Sequence, residues 1–219
     1  MKIAIITGAS SGLGEKLLYE TEKRFSLDEI WIIARRKERL EALAAKCTGA
    51  AKIVPVALDL TDYSSYETLS AMLAHTKPEI FALHNNAGFG KLGNMIDMTY
   101  PDQAGMVDLN CRALTAVTTL CLPYMKKRAG GEKVSSFILN TCSIASFAPN
   151  PRMTVYCSTK AYVYSFSKSL RFELKPRGIN VLAVCPGPMD TEFLPVAGIN
   201  KGASHTFDTL PRCNPVTVA

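Results

Sequence analysis

The feature that most restricts the fold of this 219-residue chain is a regular alternation of two kinds of segment. Short runs rich in Ile, Val and Ala alternate with longer segments whose apolar residues recur at helical spacing. Runs that are apolar at nearly every position are typical of strands buried on both faces of a parallel sheet. The alternation predicts an α/β fold, a doubly wound parallel sheet in a single domain over residues 1–219. We expect strands over 2–7, 30–34, 52–57, 80–84, 134–140 and 179–185, and helices over 12–25, 37–47, 62–75, 102–128 and 154–175.

Composition and charge exclude several classes of function. The net charge of +6 is modest, and the densest basic run, at 126–128, precedes Gly130 and Gly131, so we expect it to complement a helix C-terminus rather than to bind nucleic acid. No stretch approaches the ~18 apolar residues of a membrane span, and the N-terminal run is too short for a signal peptide. Seven scattered Cys without Cys-x-x-Cys predict reduced thiols, no metal site and a cytoplasmic protein.

A glycine-rich turn stands between the first predicted strand and the first predicted helix. Residues 7–14 read Thr-Gly-Ala-Ser-Ser-Gly-Leu-Gly. Glycine permits a tight turn, lets the backbone approach a pyrophosphate and lets helix and strand pack closely, while the helix N-terminus attracts the phosphates. The alternative is a Gly/Ser turn with no ligand. We predict a dinucleotide site that includes Gly8, Ser10, Ser11, Gly12, Leu13 and Gly14.

Two arginines follow the second predicted strand. A fold of this kind that prefers NAD places an acidic residue about 20 positions past the glycines. Here Ala34 holds that position, and Arg35 and Arg36 come directly after it. Because guanidinium groups bind phosphate through charge and paired hydrogen bonds, the sequence predicts a site for the 2′-phosphate of NADP. The alternative is that both side chains only solvate the start of a helix.

Tyr156 and Lys160 are four residues apart in a predicted helix, so they share one face. An ammonium beside a phenol favours the phenolate and lowers its pKa, which makes the pair a candidate proton donor and acceptor. In isolation this spacing is more typical of an amphipathic surface pair.

With these motifs the chain resembles the short-chain dehydrogenase/reductase family, in its common single-domain subgroup, from residue 2 to about 193. The remaining motifs come in the family's order and spacing. Ser143 lies 13 residues before Tyr156, although Ser146 is a rival on composition alone. The other matches are Asp59-Leu60, Asn86-Ala87-Gly88, Asn110, and Pro186-Gly187 with Thr191.

The resemblance implies a Rossmann-like sheet and specific roles. Ser143 and Tyr156 would hydrogen bond a substrate carbonyl, and Tyr156 would deliver the proton. Lys160 would lower the pKa of Tyr156 and hold the nicotinamide ribose. Asn110 would bend its helix and hold a water leading to Lys160. Cofactor contacts would come from Asp59 and Leu60 at the adenine, from Asn86, Ala87 and Gly88, and from Pro186, Gly187 and Thr191 at the nicotinamide.

The expected activity is NADP-dependent interconversion of a small carbonyl compound and its alcohol. Two alternatives stay open: a nucleotide-sensing or interaction protein on the same fold, and a lyase or epimerase of the extended family. The glycine spacing and the chain length argue against the second. Asp59 can also be read as a turn acid or helix cap.

Expectations for the rest of the chain are coarser. We expect 188–219 to be a substrate loop and an incomplete C-terminal part, without the family's closing helix and strand. The apolar segment 102–128 predicts a homodimer or homotetramer. His84 is predicted to be buried and hydrogen bonded. A partly apolar substrate is expected to meet Phe147, Pro149, Pro151, Met153 and Phe193.

Overall fold

The computed structural model describes residues 1–125, 136–200, 202 and 208–219. Within them, six parallel strands form one sheet in the order β3-β2-β1-β4-β5-β6. This order makes the chain wind outwards from β1 in one direction and then from β4 in the other, as predicted for a doubly wound sheet. The strands are β1 Lys2–Thr7, β2 Glu29–Ala34, β3 Lys52–Ala57, β4 Glu79–Asn85, β5 Ser136–Thr141 and β6 Ile179–Val184.

Helices connect the strands and cover both faces of the sheet. They are α1 Gly12–Arg24, α2 Lys37–Ala44, α3 Ser64–Thr76, α4 Tyr100–Val107, α5 Leu114–Cys121, α6 Thr154–Leu174, α7 Phe193–Val196 and α8 Pro215–Val218. Single 3₁₀ turns lie at Leu122–Tyr124, Ile144–Ser146 and Lys175–Arg177. The ends of the predicted strands and of most predicted helices agree with these bounds to within three residues.

Strand β1 shows how the apolar runs build two cores. Successive side chains of a strand point to opposite faces. Ile3 and Ile5 accordingly join the apolar cluster on one face of the sheet, whereas Ala4 and Ile6 join the cluster on the other. All four are fully buried, which explains why the strand is apolar at each of its four central positions rather than at alternate ones.

A series of hydrogen-bonded, buried polar side chains runs from α5, across the neighbouring strands β4 and β5, to α6. Asn85 Nδ2 donates to Thr118 Oγ1 at 2.8 Å and to Asn140 Oδ1 at 2.9 Å. Asn140 Nδ2 donates in turn to Ser167 Oγ at 2.9 Å, and Ser167 Oγ donates to the Val163 carbonyl at 2.6 Å. These bonds satisfy the buried donors of the series, whereas Asn85 Oδ1 has no hydrogen-bond partner among the described residues.

The helix predicted over 102–128 is helical over residues 100–124 but is not a regular α-helix. It consists of α4, a π-helical turn at Asp108–Ala113, α5 and a 3₁₀ turn. Residues 126–128 of this predicted helix lie outside the described residues, as do 134 and 135 of the predicted fifth strand. Near the end of the chain, Pro215–Val218 forms one helical turn that packs against α1, and the predicted lack of the family's closing helix and strand stays a prediction. Asn214 caps this turn by accepting a hydrogen bond from the Val216 amide at 2.8 Å.

His84 is buried, as predicted, but is only partly hydrogen bonded. Its Nε2 lies 3.2 Å from Thr21 Oγ1, and its Nδ1 has no hydrogen-bond partner among the described residues. Burial lowers the pKa of His84 to about 4, so the ring is neutral at physiological pH.

Candidate active site

The glycine-rich turn leads from β1 into α1 and leaves no room for larger residues. Gly8 has a φ of +67°, a conformation that side-chain-bearing residues rarely adopt. A Cβ on Gly14 would lie 2.2 Å from the Gly8 carbonyl oxygen, which is a backbone atom that cannot easily move. Ser11 precedes α1 and makes no side-chain capping bond, so the first amides of the helix remain available to an anion.

The ends of β1 and β4 are joined by side chains of the predicted motifs. Thr7 Oγ1 accepts hydrogen bonds from the amides of Asn86 and Ala87, each at 3.0 Å. Asn86 Nδ2 donates to the carbonyls of Thr7 and Gly8 at 3.2 and 3.3 Å. These bonds fix the two turns that border the crevice where the direction of winding reverses, which is where ligands bind in folds of this type.

Ser143, Tyr156 and Lys160 come together at the carboxyl end of β5. Tyr156 shares a side-chain hydrogen bond with Ser143, and the Ser143 Oγ also accepts from the Ala145 amide at 3.1 Å. Lys160 Nζ lies 5.8 Å from the centre of the Tyr156 ring and donates to the Thr141 carbonyl at 2.7 Å. The rival Ser146 donates to the Lys160 carbonyl at 3.0 Å and does not line the adjoining cavity.

The electrostatics of the pair differ from the prediction. Burial raises the pKa of Tyr156 to about 12, and the Ser143 hydrogen bond lowers it only in part. Burial also lowers the pKa of Lys160 to about 8. The expected lowering of the Tyr156 pKa by Lys160 is therefore wrong for this structure: desolvation of the phenolate dominates, and the ammonium is bonded to the Thr141 carbonyl.

Asn110 lies in the π-helical turn between α4 and α5, behind the cavity. Its Oδ1 accepts from the Phe89 amide at 3.0 Å, and its Nδ2 donates to the Phe89 carbonyl at 2.9 Å and to Thr159 Oγ1 at 3.0 Å. The distortion of the helix at this residue agrees with the predicted bend. These bonds hold the chain that follows Gly88 against α6; the predicted water stays a prediction.

The arginines after β2 have different surroundings. Arg36 Nη2 donates to Ser10 Oγ at 2.9 Å and to Ser11 Oγ at 3.0 Å. Arg35 is largely exposed, and its Nη1 lies 4.0 Å from Asp59 Oδ2. Of the two, Arg36 is thus the residue built into the glycine-rich turn.

Asp59 makes local bonds rather than facing the cavity. Its Oδ1 accepts from the Thr61 amide at 2.9 Å and from Thr61 Oγ1 at 2.7 Å, which is the arrangement of a turn acid. Its neighbour Leu60 lines the cavity and Asp59 does not, and the adenine contact predicted for the two residues stays a prediction.

A cavity of about 700 Å³ joins these features into one site. Its walls include most residues predicted to bind a cofactor or to take part in catalysis. Gly14 and Asn110 instead support the wall from behind. Those that line it are Gly8, Ser10, Ser11, Gly12, Leu13, Arg35, Arg36, Leu60, Asn86, Ala87, Gly88, Ser143, Tyr156, Lys160, Pro186, Gly187 and Thr191.

The expected apolar mouth is only partly as predicted. Pro149, Met153 and Phe193 line the cavity. Phe147 does not, because its ring packs edge-on against Tyr164 with centroids 4.8 Å apart, and Pro151 does not line the cavity either.

Two charged residues at this site were missed by the sequence analysis. Glu192, after Thr191, forms ion pairs with Arg36 at 2.9 Å and with Arg39. Arg39 is in the first turn of α2, three residues past Arg36, and so faces the same side of the chain. That spacing was a usable signal for Arg39, whereas nothing local to Glu192 indicated a contact with residues more than 150 positions away.

The residues present fit a dinucleotide, which is anionic. Arg36, Arg39 and Ser11 surround the carboxylate of Glu192, so the donors at this end of the site suit a negatively charged group. The described ranges contain no cluster of His, Cys, Asp or Glu suited to a metal ion, and none of their helices is both long and apolar enough to cross a membrane.

Comparisons with known proteins point to one family. The sequence profile of short chain dehydrogenases matches residues 2–200. Serine 3-dehydrogenase of Agrobacterium fabrum is 36% identical over 219 aligned positions, which cover 97% of this chain and 82% of that protein.

Solved structures match over nearly the whole chain. A short-chain dehydrogenase from Sphingobium yanoikuyae in complex with NADPH superposes with a TM-score of 0.84 at 30% identity, covering 100% of this chain and 81% of that one. A 3-ketoacyl-(acyl-carrier-protein) reductase from Brucella melitensis complexed with NADH has a TM-score of 0.81 at 28% identity, with 98% and 86% covered. This chain therefore belongs to the short-chain dehydrogenase/reductase family and is an NAD(P)-dependent oxidoreductase.

Proposed function

We propose that this protein reduces a carbonyl compound to an alcohol with NADPH, and that Tyr156 supplies the proton. The observation that carries the proposal is the hydrogen-bonded pair of Ser143 and Tyr156 in the wall of the cavity, with the Lys160 ammonium beside the ring. When bound, the nicotinamide would supply the hydride. Residues 188–219 would form the substrate loop of a single domain that spans 1–219.

The two hydroxyls suit a carbonyl oxygen. The Ser143 Oγ already accepts a hydrogen bond from the Ala145 amide, so its proton is free to turn towards a substrate. Hydrogen bonds from Ser143 and Tyr156 would polarise the carbonyl and stabilise the negative charge that develops on its oxygen. Tyr156 would then transfer its proton to that oxygen.

The pKa of Tyr156 favours the direction of reduction. With a pKa of about 12 the phenol is protonated at neutral pH and is ready to donate. An alkoxide is more basic than a phenolate, so the transfer to the product oxygen is downhill. Lys160, whose pKa is about 8, would keep its charge near neutral pH and compensate the phenolate left behind.

The preference for NADP is supported by the anion site at the glycine-rich turn. Arg36 and Arg39 present guanidinium groups there, and Ser10 and Ser11 present hydroxyls. A 2′-phosphate would accept hydrogen bonds from the same groups. NAD has a neutral 2′-hydroxyl at this position and would offer the arginines no negative charge.

The experiment is a screen of NADPH oxidation against ketones, aldehydes, serine-derived carbonyl compounds and 3-ketoacyl thioesters. Tyr156→Phe should lower kcat by about 10²–10⁴-fold because the ring then lacks the transferable proton. The matched control is Tyr162→Phe. Tyr162 is on the same helix as Tyr156, and its exposed hydroxyl is hydrogen bonded to Thr115 of α5, so this variant should keep full activity. Near-normal turnover in Tyr156→Phe, or no oxidation with any carbonyl, would refute the proposal.

A further inference from the structure

Glu192 occupies the anion site of the cavity. Its carboxylate pairs with Arg36 Nη1 at 2.9 Å, with Arg39 Nη1, and with the Ser11 hydroxyl. Arg36 is held in place by Ser10 and Ser11, to which its Nη2 donates at 2.9 and 3.0 Å. These are the same donors that the proposed function assigns to the 2′-phosphate of NADP.

The charge of Glu192 is permanent across the physiological range. Hydrogen bonds from Arg39 and Arg36 hold the pKa of its carboxyl at about 2. The Glu192 carboxylate and the phosphate monoester of the cofactor would therefore bind the same cationic donors. Only one of these two anions can bind the Arg36 guanidinium group at a time.

The segment that carries Glu192 extends from the glycine-rich turn to the candidate catalytic tyrosine. Thr191 packs on the turn, since a Cβ on Gly12 would lie 3.2 Å from the Thr191 Cβ. Phe193 stacks at a tilt on Tyr156 with ring centroids 5.6 Å apart. Leu194 follows as a buried residue of the cluster around Tyr156. A displacement of Glu192 would consequently be felt beside the Tyr156 ring.

We propose that Glu192 is a specificity-determining residue that competes with the cofactor 2′-phosphate for Arg36, Arg39 and Ser11, so that NADP, unlike NAD, releases segment 191–194 from the glycine-rich turn. This inference rests on the proposed function. The presence or absence of the 2′-phosphate on the cofactor is thereby linked to the position of segment 191–194, which covers the substrate side of the cavity.

The first test uses two fragments that differ by one group, adenosine 2′,5′-bisphosphate and 5′-AMP, together with NADP and NAD. In Glu192→Gln the Kd of the 2′-phosphorylated ligands should fall about three- to tenfold, as expected for the loss of two partly exposed competing ion pairs. The Kd of 5′-AMP and NAD should change less than twofold. Calorimetric titration gives these values without turnover.

The matched control is Asp190→Asn. Asp190 lies two residues before Glu192, and its substitution removes the same charge. The ion-pair partner of Asp190 is Arg212, at 3.6 Å, rather than an arginine of the anion site. Binding of all four ligands should be unchanged in this variant. An equal gain for 5′-AMP in Glu192→Gln, or an equal gain in Asp190→Asn, would reduce the effect to net charge and overturn the proposal.

The second test is hydrogen exchange of the wild-type chain, which does not depend on a variant that folds. Adenosine 2′,5′-bisphosphate should speed exchange of the backbone amides of residues 191–194, 196 and 197, and 5′-AMP should not. Unchanged or slower exchange with the bisphosphate would overturn the release of the segment.

Failure of this inference can be told from failure of the proposed function. If the wild type prefers the bisphosphate to 5′-AMP but Glu192→Gln binds both as before, only the role of Glu192 is refuted. If neither protein prefers the bisphosphate, the NADP preference fails together with the competition.

Discussion

At the scale of single residues, burial shifts the pKa values of Tyr156 and Lys160 more than their neighbours do. Tyr156 and Lys160 are both desolvated, so each is shifted towards its neutral form. The sequence spacing predicted their proximity correctly but could not predict this outcome, because the burial of Tyr156 depends on Met106, Phe193 and Leu194, which are distant in the chain.

The hydroxyl that assists Tyr156 can be identified by a pair of variants. Ser143→Ala should lower kcat/KM for carbonyl reduction by about 10²-fold, since one of two hydrogen-bond donors to the developing oxyanion is lost. Ser146→Ala removes only the bond to the Lys160 carbonyl and should cost less than about threefold. Steady-state kinetics with one substrate decide the matter, and a larger loss in Ser146→Ala would reverse the assignment.

His84 should make stability dependent on pH. Its folded pKa of about 4 lies below the ordinary 6.5, so its contribution is fully present above pH 6.5 and is lost as the pH falls towards 4. The loss amounts to about 3 kcal/mol in the free energy of unfolding.

This pH dependence can be measured by urea unfolding between pH 7.5 and 4.5. In His84→Leu the free energy of unfolding should fall less steeply as the pH decreases (the acid limb of the curve). The lost contact with Thr21 should lower stability by an amount that does not depend on pH. His75→Gln changes an exposed histidine of α3 and serves as the control, which should follow the wild-type curve. An acid limb of wild-type steepness in His84→Leu would contradict the assignment.

At the scale of elements, the turn between β1 and α1 is the part that sequence reasoning predicted best. Its glycines are required by the local backbone: Gly8 and Gly12 have positive φ, and Gly14 lies against the Gly8 carbonyl oxygen, so local sequence is enough to identify them. The irregularity in the predicted helix 102–128 was expected only as a bend at Asn110, from the family resemblance, and its π-helical form was not predicted. A π-helical turn arises here where Asn110 bonds to Phe89 and Thr159, which are partners from other parts of the fold.

Gly14→Ala tests the turn directly. The new Cβ would approach the Gly8 carbonyl oxygen to 2.2 Å, so strand and helix must separate. We expect a loss of about 1–3 kcal/mol in the free energy of unfolding and NADPH binding weakened at least about tenfold. Urea unfolding and fluorescence titration measure both quantities.

The control for this substitution is Gly105→Ala in α4. There the nearest atom to a new Cβ is the edge of the Phe89 ring at 3.4 Å, and alanine favours helix. Stability should stay the same or rise by up to about 1 kcal/mol. Equal behaviour of the two variants would contradict the proposed packing of the turn.

At the scale of the whole molecule, the order of the strands was predictable and the surroundings of the cavity were not. Alternating strands and helices with right-handed crossovers leave few arrangements of a parallel sheet. The ion pairs between Glu192 and the arginines of α2, and the packing of α8 on α1, join segments that no local pattern relates.

Binding of the cofactor should stabilise the entire fold, since the cavity is bordered by the ends of most strands. At 100 times its Kd, NADPH should add about 2.7 kcal/mol to the free energy of unfolding. For a chain of this length that corresponds to a rise in Tm of roughly 5–10 °C. NADH at the same concentration should raise it less, and equal shifts in differential scanning fluorimetry would argue against a phosphate preference.

The polar chain from Thr118 through Asn85 and Asn140 to Ser167 has a consequence for assembly. Each link joins segments that are well separated along the backbone, and every donor in it is sealed from solvent. A partly built sheet would bury amides that have not yet met their acceptors, at a cost that apolar contacts alone do not impose. We therefore expect β4 and β5 to form cooperatively with the helices α5 and α6 that carry Thr118 and Ser167.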